Sequence, residues 1–256
     1  MKVNDIIKYI EQIFPLQSAF EYDNSGANIL FNNDIKKILV CLDITKNSID
    51  YAIRNNANLI ISHHPIIFNP IKNICDDTLS KKIKLLIGNQ ISSYSCHTNF
   101  DVNMKYGMAK IIIEKLFKKS DIKKHDFLEN ITVDNKKYGI GNIITLKNKI
   151  DSFDLFLSLL NKFDIPVEQG SIFAVDNKTV KKVILIPGSG SSDVDRVIRE
   201  GCDCLITSDL KHNQIVDLLD NNITYINLTH YGLEKEFVNQ MSSLLIKKFK
   251  NVLTLI

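Results

Sequence analysis

A short apolar run that ends in two histidines and a proline constrains the fold of this chain most strongly. Residues 59–62 (LIIS) are apolar and β-branched, as in a buried strand, and Pro65 cannot donate to a sheet, so the strand must stop there. His63 and His64 therefore stand at a carboxyl strand end, where α/β sheets place their ligand sites. Taken alone, the pair could equally be a surface turn. Because successive side chains point in opposite directions, the two rings could serve two different metal ions.

The composition is that of a globular chain. Of the 256 residues, 45% are hydrophobic and 24% are charged, and the net charge is only +3 with scattered lysines. We therefore expect no nucleic-acid partner. No apolar run approaches the length of a membrane span, and the N-terminus lacks the apolar core of a signal peptide. The five cysteines form no C-x-x-C pair. These features predict a reduced, cytoplasmic protein without membrane contact.

A β-α-β pattern occurs twice in the chain. Residues 36–64 predict a strand, a helix and a second strand, and the pattern resumes at residue 181. With an offset of 145 residues (181 − 36), the two segments align without a gap, and His63 and His64 fall on Ser208 and Asp209. The repeat predicts an α/β fold of two related β-α-β-containing halves, with mainly parallel strands facing a central cleft. A chance likeness of two generic units is the alternative.

Residues 119–182 differ from the rest in character. A lysine-rich run at 118–124 predicts a linker, and the short strand candidates that follow it surround one helix, which predicts a small inserted α+β domain. We therefore predict one discontinuous domain of residues 1–118 and 183–256, interrupted by the insert 119–182.

Two polar segments allow simple interpretations. Residues 21–26 predict an Asx-type turn that carries a carboxylate. Residues 188–191 (GSGS) fit either a tight βα turn or a phosphate-binding loop.

Three predicted strands end in residues that bind metals. The pairs are His63 with His64, His97 with Asp101, and His230 with Glu234. His230 and Glu234 are four residues apart at a helix start, so they share one face. Imidazole and carboxylate ligands suit zinc, iron, manganese or nickel, and a glutamate can bridge two ions. The three pairs contain four of the six histidines, a concentration that indicates a metal site.

In combination, these motifs resemble the GTP cyclohydrolase I type 2 family, the Nif-three-like dinuclear metal-binding proteins. The motifs are HHP with a following Phe68, HTNFD from residue 97, TSDLKH from residue 207 and HYGLE from residue 230, in the family's order over essentially the whole chain. Residues 22–26 (YDNSG) are similar to the family's Trp-Asp-Asn-x-Gly turn, with Tyr22 in place of tryptophan. The chain departs from the family at Ser208, where the family has glycine, and at Asn142, where it has arginine.

The resemblance implies a site for two divalent metal ions, of the zinc, iron, manganese or nickel type. The implied ligands are His63, His64, Asp101, His230 and Glu234. His97 would hold these ligands in position without binding the metal itself, or it would act as a general acid or base. The resemblance further implies a ring-shaped homohexamer, a trimer of dimers, whose metal sites face an internal cavity.

Two functions are open at this point. The first is a metal-dependent hydrolase, GTP cyclohydrolase-like or phosphoesterase-like, in which a metal-activated water attacks a nucleotide-type small molecule and His97 or Asp209 moves the proton. The second is a non-catalytic metal-binding or regulatory ring-forming protein, because the sequence has no clear base-reading or triphosphate-binding loop. We favour the enzyme.

Overall fold

The computed structural model describes residues 1–133, 135–175 and 179–256. The first elements in chain order are α1 (Val3–Ile13), β1 (Gly26–Ile29), β2 (Ile38–Cys41), α2 (Lys46–Arg54), β3 (Leu59–Ser62), α3 (Thr78–Gly88), β4 (Ser92–Ser95) and α4 (Thr98–Asp101). The middle of the chain contains α5 (Met108–Leu116), β5 (Ile122–Val133), β6 (Lys136–Asp151), α6 (Ser152–Lys162) and β7 (Gly170–Phe173). The remaining elements are β8 (Thr179–Ser189), α7 (Val194–Glu200), β9 (Cys204–Ser208), α8 (His212–Asp220), β10 (Thr224–Leu228), α9 (His230–Glu234), α10 (Glu236–Ile246) and β11 (Val252–Leu255). Within the described ranges, no helix has the length and apolar character needed to cross a membrane.

The chain divides into two compact units, each built on one sheet. The first unit comprises Met1–Asp101 and Lys235–Ile256, and the second comprises Val102–Glu234. These boundaries differ from those predicted at residues 118 and 183, because strands of the segment 119–182 extend the sheet of the second unit through hydrogen bonds between β6 and β8. That the segment is an insert stays a prediction.

The sheet of the first unit is mainly parallel. Its strand order is β1-β4-β3-β2-β11, and only the edge strand β1 runs antiparallel to its neighbour. Strands β2 and β3 are buried along their whole length, as their continuous apolar sequences predict. Helix α2 connects them and begins with a capping box in which Thr45 and Ser48 satisfy each other's backbone N–H groups. The helices pack on the sheet through a cluster that includes Leu39, Ile49 and Ile60.

The sheet of the second unit has a parallel centre with antiparallel strands on either side. Its strand order is β5-β6-β8-β9-β10-β7, and β8, β9 and β10 are the parallel strands. Val183 on β8 lies opposite Cys204 on β9, just as Ile38 on β2 lies opposite Leu59 on β3. The offset is 145 residues for both partners (183 − 38 and 204 − 59). The predicted repeat is thus confirmed down to its strand register.

The structure corrects the sequence prediction at three places. The lysine-rich run at 118–124 is not a linker, because β5 begins within it, at Ile122. As an edge strand, β5 tolerates exposed lysines, which also prevent pairing with another chain. The helix that was predicted to start at His230 ends at Glu234 as α9, and a separate helix, α10, follows in the other unit. The edge strands β1 and β11 were not predicted.

Candidate metal centre

The two histidines that follow β3 are anchored by backbone carbonyls. The N–H groups of His63 and His64 both donate to the carbonyl oxygen of Leu42, at 3.1 Å. His63 is fully buried, and its Nδ1 lies 2.8 Å from the carbonyl oxygen of Cys96. Because a carbonyl can only accept, Nδ1 carries the proton and Nε2 carries the lone pair. The surrounding backbone therefore sets the tautomer of His63 that can bind a metal.

Carboxylates hold the other two imidazoles of the first unit. Nδ1 of His64 lies 2.9 Å from Oδ1 of Asp43, a residue that follows β2. Nδ1 of His97 lies 2.7 Å from Oδ1 of Asp23. A carboxylate at Nδ1 makes Nε2 the ligand atom and increases its basicity, which is the usual arrangement behind a metal-binding histidine.

Asp23 is a buried anion with partners on both oxygens. Its side chain has no exposed surface, and its Oδ2 accepts hydrogen bonds from the hydroxyls of Ser25 (2.7 Å) and Thr98 (2.5 Å) and from the N–H of Thr98 (3.1 Å). Burial alone would raise the pKa of Asp23. The hydrogen bond and charge of His97, with the hydrogen bonds of Thr98 and Ser25, outweigh burial and hold the pKa well below its usual value. Asp23 is therefore ionised at any physiological pH.

The three rings of the first unit form one group. The candidate ligand atoms of His63, His64 and His97 lie within 4.8 Å of one another. The ring centroids of His63 and His64 are 4.9 Å apart, so these rings lie side by side rather than on opposite faces. Strand alternation does not separate them, because β3 ends at Ser62 and both following N–H groups turn towards one carbonyl. Nε2 of His63 also lies 3.6 Å from Oδ1 of Asp101.

The second unit repeats this arrangement around His230. Nδ1 of His230 lies 2.5 Å from Oδ2 of Asp209, and Nε2 lies 3.0 Å from Oε2 of Glu234, one helical turn later on α9. The side chain of Glu234 is almost completely buried. Asp209 has a positive φ of 59°, a conformation that aspartate adopts more readily than most residues. The predicted pair His230 and Glu234 is thus brought together, and Asp209 orients it.

Gly188 approaches this pair so closely that no side chain could replace its hydrogen. A Cβ atom at Gly188, whose φ is +67°, would lie 2.6 Å from Oε1 of Glu234 and 3.5 Å from Nε2 of His230. The carbonyl of Gly188 accepts hydrogen bonds from the hydroxyls of Thr207 (2.9 Å) and Ser208 (2.7 Å). The serine that departs from the family motif therefore fixes the backbone beside Glu234.

The other departure, Asn142, lies inside the second sheet. Asn142 is buried on β6, and its Oδ1 lies 2.8 Å from Nε2 of His125 on β5. The contact links two antiparallel neighbours. Asn142 thus has a partner within the β5–β6 pair.

The donor atoms fit divalent transition ions. The imidazole nitrogens and carboxylate oxygens suit the zinc, iron, manganese or nickel group predicted from the sequence. Neutral thiols are poor ligands, and burial, together with the charge of Asp43, raises the pKa of the Cys41 thiol to about 12 despite a hydrogen bond with Ser48.

Of the residues that orient the ligands or His97, only Asp209 was singled out from the sequence, and it was predicted to move a proton. The segment with Asp23 was predicted to be an Asx-type turn, but the turn there is closed by the backbone, because the N–H of Asp23 donates to the carbonyl oxygen of Phe20 at 3.0 Å. Oδ1 of Asp23 accepts from the adjacent N–H of Asn24 at 2.7 Å, not from the N–H two residues on that defines an Asx turn. The additional role towards His97 arises only in the folded chain. Asp43 was recognisable in principle, because it follows β2 as His63 follows the adjacent strand β3. Gly188 was noted as part of a tight turn or a phosphate-binding loop, and its proximity to Glu234 was not predicted.

A family model now decides the classification. The model of DUF34/NIF3 (NGG1p interacting factor 3) matches residues 1–256. The chain belongs to the DUF34/NIF3 family. The resemblance that the histidine and carboxylate motifs predicted is therefore confirmed over the whole sequence.

Similar proteins are named after GTP cyclohydrolase 1 type 2, the family that the sequence motifs resemble. A Clostridium acetobutylicum protein named GTP cyclohydrolase 1 type 2 homolog is 33% identical over 246 residues, which cover 94% of this chain and 88% of the relative. A Helicobacter pylori (strain J99) protein named GTP cyclohydrolase 1 type 2 is 29% identical over 266 residues, which cover 99% of both chains.

Solved structures of other proteins share the fold of this chain. A Bacillus cereus protein related to NIF3 has a TM-score of 0.83 at 20% identity, covering 99% of this chain and 96% of that chain. Reduced HcgD from Methanocaldococcus jannaschii has a TM-score of 0.82 at 27% identity, covering 100% and 98%. The mixed α/β fold of this chain is therefore the fold of the family.

Proposed function

We propose that this DUF34/NIF3 chain is a metal-dependent hydrolase that acts on a nucleotide-type substrate. The proposed ligands of two divalent ions are His63, His64, Asp101, His230 and Glu234. One observation carries the proposal: three histidines at strand ends each have a carboxylate at Nδ1 within 2.9 Å, which leaves Nε2 available to a metal ion in His64 and His230 and to a proton in His97. The names of the relatives support GTP, or a similar purine nucleotide, as the substrate class.

The protein's own contribution is to orient and shield the ligands. When bound, two divalent ions supply Lewis acidity and lower the pKa of a water molecule. His63 packs against the rings of Phe100 and Phe237, at centroid distances of 5.9 and 5.0 Å, which keep water from its sides. The buried carboxylate of Glu234 brings negative charge next to His230, which favours a cation there.

We assign proton transfer to His97, with Asp209 as the second candidate. Because Asp23 holds Nδ1 of His97, Nε2 is the ring atom that can take up and return a proton, and the side chain is 18% exposed. Asp209 lies against Nδ1 of His230, so it also supports that ligand.

The test is turnover by protein reconstituted separately with zinc, iron, manganese and nickel. GTP, a phosphomonoester and a phosphodiester serve as substrates. We expect hydrolysis of at least one of them, and we expect Glu234→Ala to lose nearly all of this activity. Glu168→Ala is the matched control, because Glu168 is an exposed glutamate of the same unit. Equal trace activity in the wild type and Glu234→Ala would favour the non-catalytic metal-binding or regulatory alternative.

The assembly and compartment that we propose come from the family resemblance and from the cysteines. We propose a homohexamer, to be tested by light scattering coupled to size-exclusion chromatography. We propose the cytoplasm as the compartment, since all five cysteines are free, as in a reducing environment.

A further inference from the structure

Phe68 is an exposed aromatic residue beside the histidine group of the first unit. Its ring centroid lies 6.1 Å from that of His97, with the two rings nearly perpendicular at 80°. Phe68 exposes 43% of its surface, whereas Ile66, two residues earlier, packs into the core. An aromatic side chain stabilises a fold through burial. Core packing therefore does not account for a phenylalanine at this position.

A closed path of contacts holds Phe68 at the histidine group. The Nδ2 group of Asn24 donates to the carbonyl oxygen of Ile67 at 2.6 Å. The N–H of Asn24 donates to Oδ1 of Asp23, the same atom that lies 2.7 Å from Nδ1 of His97. The path runs from Phe68 through Ile67, Asn24 and Asp23 to His97, whose ring contacts Phe68 again. The residues that orient His97 thus also position Phe68.

The backbone around Phe68 is restricted as well. Pro65 lies three residues before Phe68 and Pro70 two residues after it, and the ring of each proline fixes its own φ. The N–H of Ile67 donates to Oδ1 of Asn28 at 3.3 Å. A side chain that is already positioned loses little conformational freedom when a ligand binds, which favours binding.

We propose that Phe68 stacks on the purine base of the substrate and is a specificity-determining residue. This inference rests on the proposed function, because it requires a nucleotide. Every base has a planar face that can stack on an aromatic ring. A base on Phe68 lies next to His97, so the base rather than the phosphates faces the metal ligands. The geometry therefore points to purine nucleosides and nucleotides whose reacting atom is in the base.

The test is calorimetric titration of the metal-loaded protein with GTP, guanosine and inorganic tripolyphosphate. We expect Phe68→Ala to weaken the binding of GTP and guanosine by the same factor, about 5- to 100-fold. Tripolyphosphate binding and metal content should not change. Phe68→Tyr keeps the ring and should bind GTP like the wild type. Ile71→Ala is the matched control, because Ile71 is an exposed apolar residue of the same loop.

Three results would overturn the inference. In the first, the wild type binds GTP and guanosine, and Phe68→Ala changes both affinities by less than twofold. Phe68 then does not stack on the base, although the substrate is still a nucleotide. Absence of any wild-type binding of GTP and guanosine would remove both the nucleotide substrate and the stacking. A change of oligomeric state in both Phe68→Ala and Ile71→Ala, measured by light scattering, would assign the loop to contacts between copies of the chain instead.

Discussion

Nδ1 of His97 lies 2.7 Å from Oδ1 of Asp23, a residue 74 positions earlier in the chain. His64 and His230 have equivalent partners in Asp43 and Asp209, each 21 positions away. Three imidazoles at strand ends are thus oriented by carboxylates from elsewhere in their own units. The ligand geometry depends on these carboxylates as much as on the ligands, and this dependence can be tested.

We expect Asp23→Asn to lower the turnover of the metal-loaded protein by about 10- to 100-fold while the protein stays folded and keeps its metal. An amide can accept hydrogen bonds at only one of its two ends, so its NH₂ group would face N–H or O–H donors that the carboxylate now satisfies. Steady-state kinetics measure the turnover, and metal analysis measures the metal content. The exposed Asp34 offers a control: Asp34→Asn should turn over substrate like the wild type. Unchanged turnover in Asp23→Asn would show that His97 needs no orientation.

Gly188→Ala and Gly201→Ala separate backbone strain from displacement of a ligand. Both glycines have a φ of +67°, which L-residues rarely adopt, so both variants should lose at least about 1–2 kcal/mol of stability, and Gly188→Ala should lose more because its Cβ atom meets Glu234. Only Gly188→Ala places a Cβ atom against Glu234, whereas a Cβ atom at Gly201 meets nothing within 4 Å. We therefore expect metal loss in Gly188→Ala alone, measured by metal analysis beside thermal melts. Equal metal contents would contradict the packing described for Glu234.

His64→Ala and Asp101→Ala should lose metal without losing the fold. His64 follows β3 and Asp101 is the last residue of α4, and neither belongs to the apolar core of the first unit. An open site of this kind need not form for the chain to fold. Circular dichroism and metal analysis together test this expectation. Phe100→Ala, next to Asp101, is the contrasting variant, because it empties a fully buried position and should cost about 3–5 kcal/mol. Wholesale unfolding of His64→Ala would indicate a structural metal instead.

The thiols should differ sharply in reactivity. Cys75 is exposed, whereas Cys41, Cys96 and Cys204 are buried. With a pKa of about 12, roughly one Cys41 thiol in ten thousand is a thiolate at pH 8. We expect an aromatic disulfide reagent to modify Cys75 in the native protein and these three buried thiols only after denaturation. Because Cys202 is partly exposed, the double variant Cys75→Ser with Cys202→Ser should abolish the rapid phase. A rapid phase that persists in this variant would show that a buried strand opens readily.

The parallel strands and their helices were predictable because their signals are local. Apolar runs such as 59–62 and the helical spacing of α3 identify buried strands and amphipathic helices within a few residues. The edge strands β1 and β11 have four residues each and form through pairing with distant strands, so a local pattern could not identify them. In β5, the lysines obscured a strand whose exposed face they occupy.

The candidate metal-binding residues were predictable for a similar reason, whereas Asp23 and Gly188, which position the side chains of the site, were not. A histidine directly after an apolar strand, as at His63, carries its signal in the adjoining sequence. The role of Asp23 depends on a contact 74 residues away, and its own neighbourhood indicates only a turn. Gly188 is comparable, since the constraint on it comes from Glu234. Tertiary contacts decide both roles.

The position of β11 determines when the first sheet can be finished during synthesis. β11 pairs with β2, more than two hundred residues earlier, and covers an edge that β2 otherwise leaves open. The second unit is continuous, so all of its residues leave the ribosome before those of β11. Because domains generally fold as they emerge, the first unit must wait with an unprotected strand while its neighbour folds. A ribosome that stalls within α10 would release a chain whose second sheet is complete and whose first sheet is prone to aggregation.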